Sequence, residues 1–588
     1  MFAAIFDRSG QPVDRRSLTR SGLVVESPSG APQLAFVHSR ESFDGEWRGC
    51  ANLQGRYWIV GRIRLDARRD LAARLAKTLA APAPTDGELC LQAYAAWGDR
   101  CMEHLAGDFA FVLWDGERRR LLAARDQLGV RTLFHAESGS ALILGDSLDW
   151  IVGTSLAGRS IDREHDEQWI ADFLTVGSSL DVERTVYRAV KRLAPAHLLE
   201  IAGAAVATRR YWHLELGEPL YLERGAAYVE RFLELMSHAV GDRLPAGQVG
   251  ISMSGGIDST TLAACTIAAT GDASRVVAEC THFERLMPDD EAPFARLAAR
   301  QLGIELQVKA IDDFIYDPDW SSRSEIMAEP SASIVARHPD RLMALEQAQR
   351  APVWFFGEGP DNALTFERDS YFAWLARRGE WLRFGRAALL YLKAKGIGGW
   401  GETLRRYTRR DESSKDSFDV PAWLDRGLVE RLGQEERLDH LGGGGPAHPW
   451  RPRAIASFTD AIWPALFDSF DSEERLAPMV WRHPYLDLRV LDFLLAVPPV
   501  PWARGKLLMR TAMRGRLPDA VLGRRKTPLA GAPLADLVTA RGLPPLSRAP
   551  RLSRYVDVNA LPDRLPAGPA LDQLIRVHVL DRWLAQNG

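Results

Sequence analysis

Residues 248–260 read QVGISMSGGIDST. The apolar run at 249–253 has the length of a buried parallel strand, and it breaks at Ser254-Gly255-Gly256 before an apolar-periodic stretch from Asp258 through Cys265 that predicts a helix. Strand, glycine turn and helix in that order make a phosphate-binding loop. Two adjacent glycines let the backbone curl with its amides inward, and the helix presents the positive end of its dipole. Ser254 and Ser259 can add hydroxyl donors, and Asp258 is placed to hold a metal. No Lys follows the glycines, so the loop is not of the GK[ST] type. A plain serine and glycine turn has the same six residues, so the decision falls to the rest of the chain.

A chain of 588 residues is too long for one core and predicts two to four domains. Apolar residues at 46% and charged residues at 26% are ordinary for a globular protein, and they point away from disorder. The net charge of −3, from 74 basic and 77 acidic residues, argues against a nucleic-acid partner, which demands a basic face. Asp7 and Arg8 interrupt the start where a signal peptide carries its apolar core, and nowhere do 18 apolar residues run together. The expectation is a cytoplasmic protein with no membrane association. Five cysteines, at 50, 90, 101, 265 and 280, form no CxxC pair and read as buried thiols. Only eight of the basic residues are Lys, which makes each one worth asking why Arg would not serve.

Working outward, residues 274–281 and 304–311 read as strands with a helix at 291–302 between them, so the region of the phosphate loop predicts a doubly wound parallel sheet with ligands at the carboxyl ends of its strands. A second strand end follows at 353–362, VWFFGEGPDN. There Glu358 and Asp361 emerge three residues apart on a glycine loop that includes Gly357. Two carboxylates beside a triphosphate repel it unless a cation lies between, which assigns Asp258 and Asp361 to Mg²⁺ and leaves Glu358 as candidate general base. A solvated loop carrying a helix-capping acid is the bland alternative. Residues 370–481 read as mostly helical, with a charged stretch at 405–416 and a GGGGP break at 442–446 taken as mobile surface segments. Tryptophans 400, 423, 450, 463 and 481 fit core packing, or in part a peptide groove.

The first 210 residues or so have a different texture. Short alternating stretches at 22–27, 34–38, 57–63, 109–114, 121–124 and 141–144 read as strands, with an amphipathic helix at 86–97. The alternation gives way near 211–223 to a helical period in Ala226, Val229, Phe232, Leu233, Met236 and Val240. Two domains follow: 1–212 and 213–588.

Several blocks now carry a resemblance. SGGxDS at 254–259 resembles the loop of the ATP pyrophosphatases, which split ATP into AMP and pyrophosphate. LAGDFAFVLWD at 105–115, LAARDQLGVRTLF at 122–134, TDGEL around Asp86 and YAAWG at 94–98 look like the glutaminase domain of the asparagine synthetases, an αββα sandwich of the N-terminal nucleophile type. RHPYLD at 482–487, GKLLMR at 505–510 and RRKTPL at 524–529 mark the synthetase domain in which asparagine synthetases, β-lactam synthetases and lasso peptide cyclases resemble one another. The resemblance covers nearly the whole chain. It implies a degenerate glutaminase sandwich followed by an ATP-pyrophosphatase-type synthetase domain with extra helices, together an α/β protein. It also implies ATP held by Ser254, Gly255, Gly256, Asp258, Ser259, Gly357 and Lys506, Mg²⁺ on Asp258 and Asp361, and a catalytic Lys at Lys526.

The glutaminase chemistry is expected to be missing. This type of enzyme needs a Cys as first mature residue, and Phe2 follows Met1. The Asn-Gly pair that stabilises the oxyanion falls at Val60-Gly61, and Asp86 alone cannot replace either group. A retained scaffold is the preferred reading, a vacated cleft that holds a peptide the other. Against a β-lactam synthetase stands Glu358, where those enzymes carry Tyr. GPDNAL at 359–364 resembles the lasso peptide cyclases, whereas asparagine synthetases show a GGDE-like form. That resemblance implies an ATP-dependent macrolactam synthase acting on a precursor core peptide, with a leader peptidase and a leader-recognition protein as partners. An amide ligase of the β-lactam or ammonia-dependent asparagine type stays open, as does a non-catalytic ATP-binding scaffold.

Overall fold

In the computed structural model every residue is described except 41–44, 77–82, 157–158, 204, 325–326, 396–418, 442–447, 475, 526–530, 548–549 and 588. The stretches at 405–416 and 442–446 and the side chain of Lys526 therefore lie outside the described residues, as does Trp400.

The first strands are β1 (Phe2–Asp7), β2 (Leu23–Glu26), β3 (Leu34–Ser39), β4 (Trp47–Leu53), β5 (Tyr57–Leu65), β6 (Gly107–Asp115) and β7 (Arg120–Arg125). After them come β8 (Phe134–Ser138), β9 (Ala141–Gly145), the short pair β10 (Ser155–Leu156) and β11 (Arg159–Ser160), β12 (Val190–Arg192), β13 (His197–Ala202) and β14 (Ala205–Arg210). Two six-stranded antiparallel sheets result, ordered β12-β8-β9-β1-β3-β2 and β14-β13-β7-β6-β5-β4. Their facing sides share one apolar layer, with Phe2, Ala4, Phe6 and Phe36 from the first sheet against Val60, Val112, Trp114 and Leu199 from the second. The helix Asp86–Trp97 covers the outer face of the second sheet, through Leu89, Cys90 and Ala93 on Ile59, Ile63 and Phe111. Helix Glu167–Val176 covers the first through Trp169, Ile170 and Phe173. This is an αββα sandwich. At the start of the Asp86–Trp97 helix Thr85 and Glu88 form a reciprocal capping box, which contributes about 1 kcal/mol and fixes where the helix begins.

Helix Gly225–Gly241 leads into a third sheet of five parallel strands. These are β15 (Val249–Ser252), β16 (Val276–His282), β17 (Glu305–Ala310), β18 (Val353–Phe355) and β19 (Val480–Arg482), in the order β17-β16-β15-β18-β19. The chain winds outward from β15 to β17, then returns to place β18 on the other side of β15. The reversal between β15 and β18 is a topological switch point, where the loops leaving two neighbouring strands part and open a crevice. Val249, Ile251, Val353 and Phe355 are wholly buried, because helices cover both faces of a parallel sheet. Extra helices follow, among them Arg368–Arg377, Trp381–Lys395, Pro452–Thr459 and Ile462–Glu474. Trp423, Trp450, Trp463 and Trp481 are each buried in one of the apolar clusters, which favours the core reading of those residues.

Sequence patterning misses β1, β4, β8, β13 and β14, the short β10, β11 and β12, and β19, which lies in a stretch that reads as helical. β1 lies between β9 and β3 with both faces covered, so FAAIF is a continuous apolar run with no alternation to detect. β14 fails for the opposite reason: it is an exposed edge whose residues face water on both sides.

Candidate functional site

The helix that follows β15 starts at Ile257, with Gly256 as its N-cap. Gly255 takes φ +60°, and a Cβ there would lie 2.6 Å from the carbonyl oxygen of Glu291, so both the turn and the close approach require glycine. The Ser259 hydroxyl accepts from the Ser254 amide at 3.1 Å and sits 3.2 Å from the Ser254 hydroxyl, which closes the loop on itself. Asp258 lies in the first helical turn. The buried Tyr485, in the segment after β19, donates to its carbonyl oxygen at 2.8 Å.

The loop after β18 passes over that turn. A Cβ on Gly357 would lie 3.5 Å from the Ser259 amide nitrogen, in ordinary contact, so this loop packs directly on the helix start. Gly359, at φ +119°, turns the chain against Leu486 and Tyr485. Glu358 is half-buried between these glycines, and Asp361 is exposed in the short helix Pro360–Ala363. Asp258 and Asp361, expected to share Mg²⁺, are brought together on a side-chain ammonium. The Lys506 ammonium contacts Asp258 and lies 2.6 Å from Asp361. Two oxygen donors already organised around a positive centre are a donor set that fits a hard divalent ion.

The tail closes the flank of this loop. Arg524 reaches Glu291 at 3.0 Å and Asp290 at 2.5 Å, while its guanidinium stacks over Phe294. Glu291 is the residue whose carbonyl faces Gly255, so the segment leading toward Lys526 is anchored beside the phosphate loop. Arg510 donates to Gly505 O at 2.6 Å, to Arg524 O at 2.8 Å and to Leu522 O, tying the Lys506 turn to that segment. Burial lowers the Arg510 pKa, with Asp258 opposing. Tyr485, Arg510 and Arg524 stand in the sequence blocks that carry the family resemblance, yet their roles are not assigned by sequence; each acts through a contact that only folding creates.

The glutaminase-like centre is filled. Phe2 is 1% exposed and Val60 is fully buried, both within the layer between the sheets, so neither position opens onto a cleft. Asp86 accepts from the Leu65 amide at 3.1 Å and pairs with Arg68 at 2.5 Å, a structural duty. Open space lies instead on the far side of the first sheet. A cavity of about 280 Å³ there is lined by Phe134, Trp169 and Arg192 on one side and by Glu329, Asp340 and Asp468 on the other. Burial pushes the Asp340 carboxyl up to about 6.

Comparison with known proteins matches residues 51–212 to a glutamine amidotransferase domain and residues 231–551 to asparagine synthase. The chain belongs to the asparagine synthase family. The asparagine synthetase [glutamine-hydrolyzing] 3 of Bacillus subtilis is 25% identical over 472 residues, spanning 76% of this chain and 70% of that protein. A putative asparagine synthetase of Mycobacterium tuberculosis is 29% identical over 290 residues, 47% of this chain and 42% of that one. Amidase chyE of Penicillium rubens is 26% identical over 245 residues, covering 39% and 35%. As a member of this family the chain is an ATP-dependent, amide-bond-forming ligase. Among the described residues no helix is long and apolar enough to cross a membrane.

Proposed function

We propose that this ligase closes a macrolactam within a peptide, joining an Asp or Glu side chain to the peptide's own α-amine to give a lasso peptide. The observation that carries the reading is the pairing of a synthetase site of intact composition with a glutaminase-like centre plugged by Phe2 and Val60. With Phe2 and Val60 filling those positions, ammonia released from glutamine is disfavoured as the amine, which favours an amine carried on the substrate. The GPDNAL form at 359–364, similar to that of lasso peptide cyclases, supports a peptide amine.

A side-chain carboxylate is ionised at pH 7 and a poor electrophile. Its oxygen attacks the α-phosphorus of ATP and pyrophosphate leaves, giving an acyl adenylate. The amine then attacks the acyl carbon, AMP departs with the C–O bonding pair, and the amine's proton passes to a base, for which Glu358 is the candidate. The α-amine has a reference pKa of about 8, so it needs only modest help from that base. Asp258 and Asp361 would hold Mg²⁺, which when bound offsets phosphate charge. Ser254, Gly255, Gly256 and Ser259 line the phosphates, and Gly357 keeps the acidic loop close. Holding the peptide folded supplies the effective concentration that ring closure requires. A leader peptidase and a leader-recognition protein would deliver the free N-terminus.

Candidate core peptides with a free N-terminus, incubated with ATP and Mg²⁺, should lose one water by mass as AMP and pyrophosphate appear in equal amounts. N-acetylated peptides should give no ring. Asparagine formed from aspartate and ammonia, with every peptide untouched, would return the protein to the asparagine synthetases. Binding of ATP analogues without AMP release under any condition would make it a scaffold.

A further inference from the structure

Lys506 stands out in backbone and side chain together. It takes φ +56°, directly after Gly505 at φ +54°, and a left-handed conformation is costly for a lysine, on the order of 1 kcal/mol. The strained turn aims its ammonium between the two carboxylates assigned to the metal, contacting Asp258 and lying 2.6 Å from Asp361. Its side chain is 14% exposed, that of Asp258 19% and that of Asp361 50%, so screening by water is weak at the centre of the triad. Asp258 stands on the helix after β15, Asp361 on the short helix after β18, and Lys506 at the N-cap of helix Leu507–Ala512. One cation thus joins three separate stretches around the phosphate loop.

We propose that Lys506 is a built-in counter-ion that holds the carboxylate pair closed against free divalent cations and releases it only to a nucleotide. The reasoning is one of charge. Two carboxylates and one ammonium sum to −1. A dication entering that triad alone would face the ammonium at contact range, a repulsion that cancels much of its attraction to the acids. A triphosphate changes the balance, because the ammonium can turn to a phosphate oxygen and leave the acids to the metal. Metal and nucleotide then bind with positive coupling, each raising the other's affinity by the same factor. Charging the site in one step prevents a metal-filled, nucleotide-free state. It also makes the strain at residue 506 purposeful, since a turn held by two ion pairs can relax when they exchange.

This inference rests on the assignment of Asp258 and Asp361 to the metal, and two measurements keep them separable. Mn²⁺ binding is followed by electron paramagnetic resonance on the full-length protein, with and without ATP. In the presence of ATP, Asp258→Asn and Asp361→Asn should each weaken Mn²⁺ binding; unchanged binding in both would remove the metal assignment and the proposal with it. Without nucleotide, Lys506→Met should bind Mn²⁺ on the order of tenfold more tightly than wild type. Lys506→Arg, which keeps the charge, should stay near wild type, and adding Asp361→Asn to Lys506→Met should erase the gain. Lys506→Met binding Mn²⁺ no more tightly than wild type, while the Asp variants lose the metal with ATP, would overturn the counter-ion role and leave the metal assignment standing. A gain that survives in the double variant would overturn it too, since the metal would then lie elsewhere.

Discussion

Among eight lysines, Lys526 stands in RRKTP, where the family it resembles places a catalytic Lys. Adenylation concentrates charge on the α-phosphate, and amine attack builds an oxyanion on the acyl carbon. A compact ammonium can serve both centres, whereas a guanidinium is broader and differently aimed. Lys526→Ala should lower turnover on the order of 10²–10³-fold with ATP binding little changed, and Lys526→Arg should recover only part. Steady-state kinetics decide it: turnover within about threefold of wild type would remove Lys526 from the chemistry. Lys506 and Lys526 are indistinguishable by residue type. The neighbours separate them, since Lys506 is bound by two acids on the site's own loops.

At the scale of elements, Arg510 links the Lys506 turn to the tail by accepting nothing and donating to three carbonyls. Arg510→Ala should therefore raise the KM for ATP several-fold while the melting temperature moves by only a few degrees, because the helix Leu507–Ala512 keeps Leu508, Met509 and Ala512 buried. A large fall in melting temperature with unchanged KM would show that the arginine serves folding alone. The paired strands β4 and β5 carry the second element-scale prediction. Val60 faces the apolar layer in the place where an oxyanion donor belongs in a glutaminase, so purified protein should form no glutamate from glutamine above a heat-killed control. Glutamate release at the rate of product formation would overturn this.

Across the whole molecule, buried ion pairs join the αββα sandwich to the synthetase. Glu46, with no exposed side-chain surface, holds Arg48 at 2.6 Å and Arg131 at 2.9 Å, and Arg131 and Arg62 both reach Asp471. Arg243 connects Asp66 and Asp487, each at 2.8 Å. Removing one member strands the others in low dielectric, so Arg131→Met should lower stability by about 3–5 kcal/mol, read as a shift of the urea midpoint. Titration adds a further expectation. Burial lowers His483 to about 3 and His135 and His165 to about 4, so the unfolded chain binds their protons first and stability is lost as pH falls below 6.5. Burial raises Asp126, Asp340 and Asp492 to about 6, so the folded chain binds those protons first and stability is gained from pH 6 down to 3.8. The two sets oppose each other. Below 3.8 the gain from the aspartates is complete, the loss from His483 continues to about pH 3, and Asp487, whose carboxyl burial would raise but which Arg489 and Arg243 hold down at about 2, adds its own. Thermal melts should thus change little between about pH 6.5 and 4.5 and fall steeply below about pH 4. A steep fall already complete by pH 5 would contradict the balance.

The phosphate loop, the acidic loop after β18 and four of the five parallel strands, β15 to β18, are legible in the sequence because each is local: a short apolar run ending at a turn has few alternatives, whereas β19 is three residues at the edge of a stretch that reads as helical. Family blocks at 482–487, 505–510 and 524–529 are legible as words, without their grammar. What the tertiary structure decides is which groups meet. Lys506 joins Asp258 across 248 residues, Tyr485 reaches the Asp258 carbonyl across 227, and Arg524 reaches Glu291 across 233. Central β1 and exposed β14 lack the period that a half-buried strand imprints, because the number of covered faces is a property of the assembled sheet. Residue types and local periods are written along the chain. The convergence of charges on one cation depends on the order β17-β16-β15-β18-β19, and that order exists only once the sheet has formed.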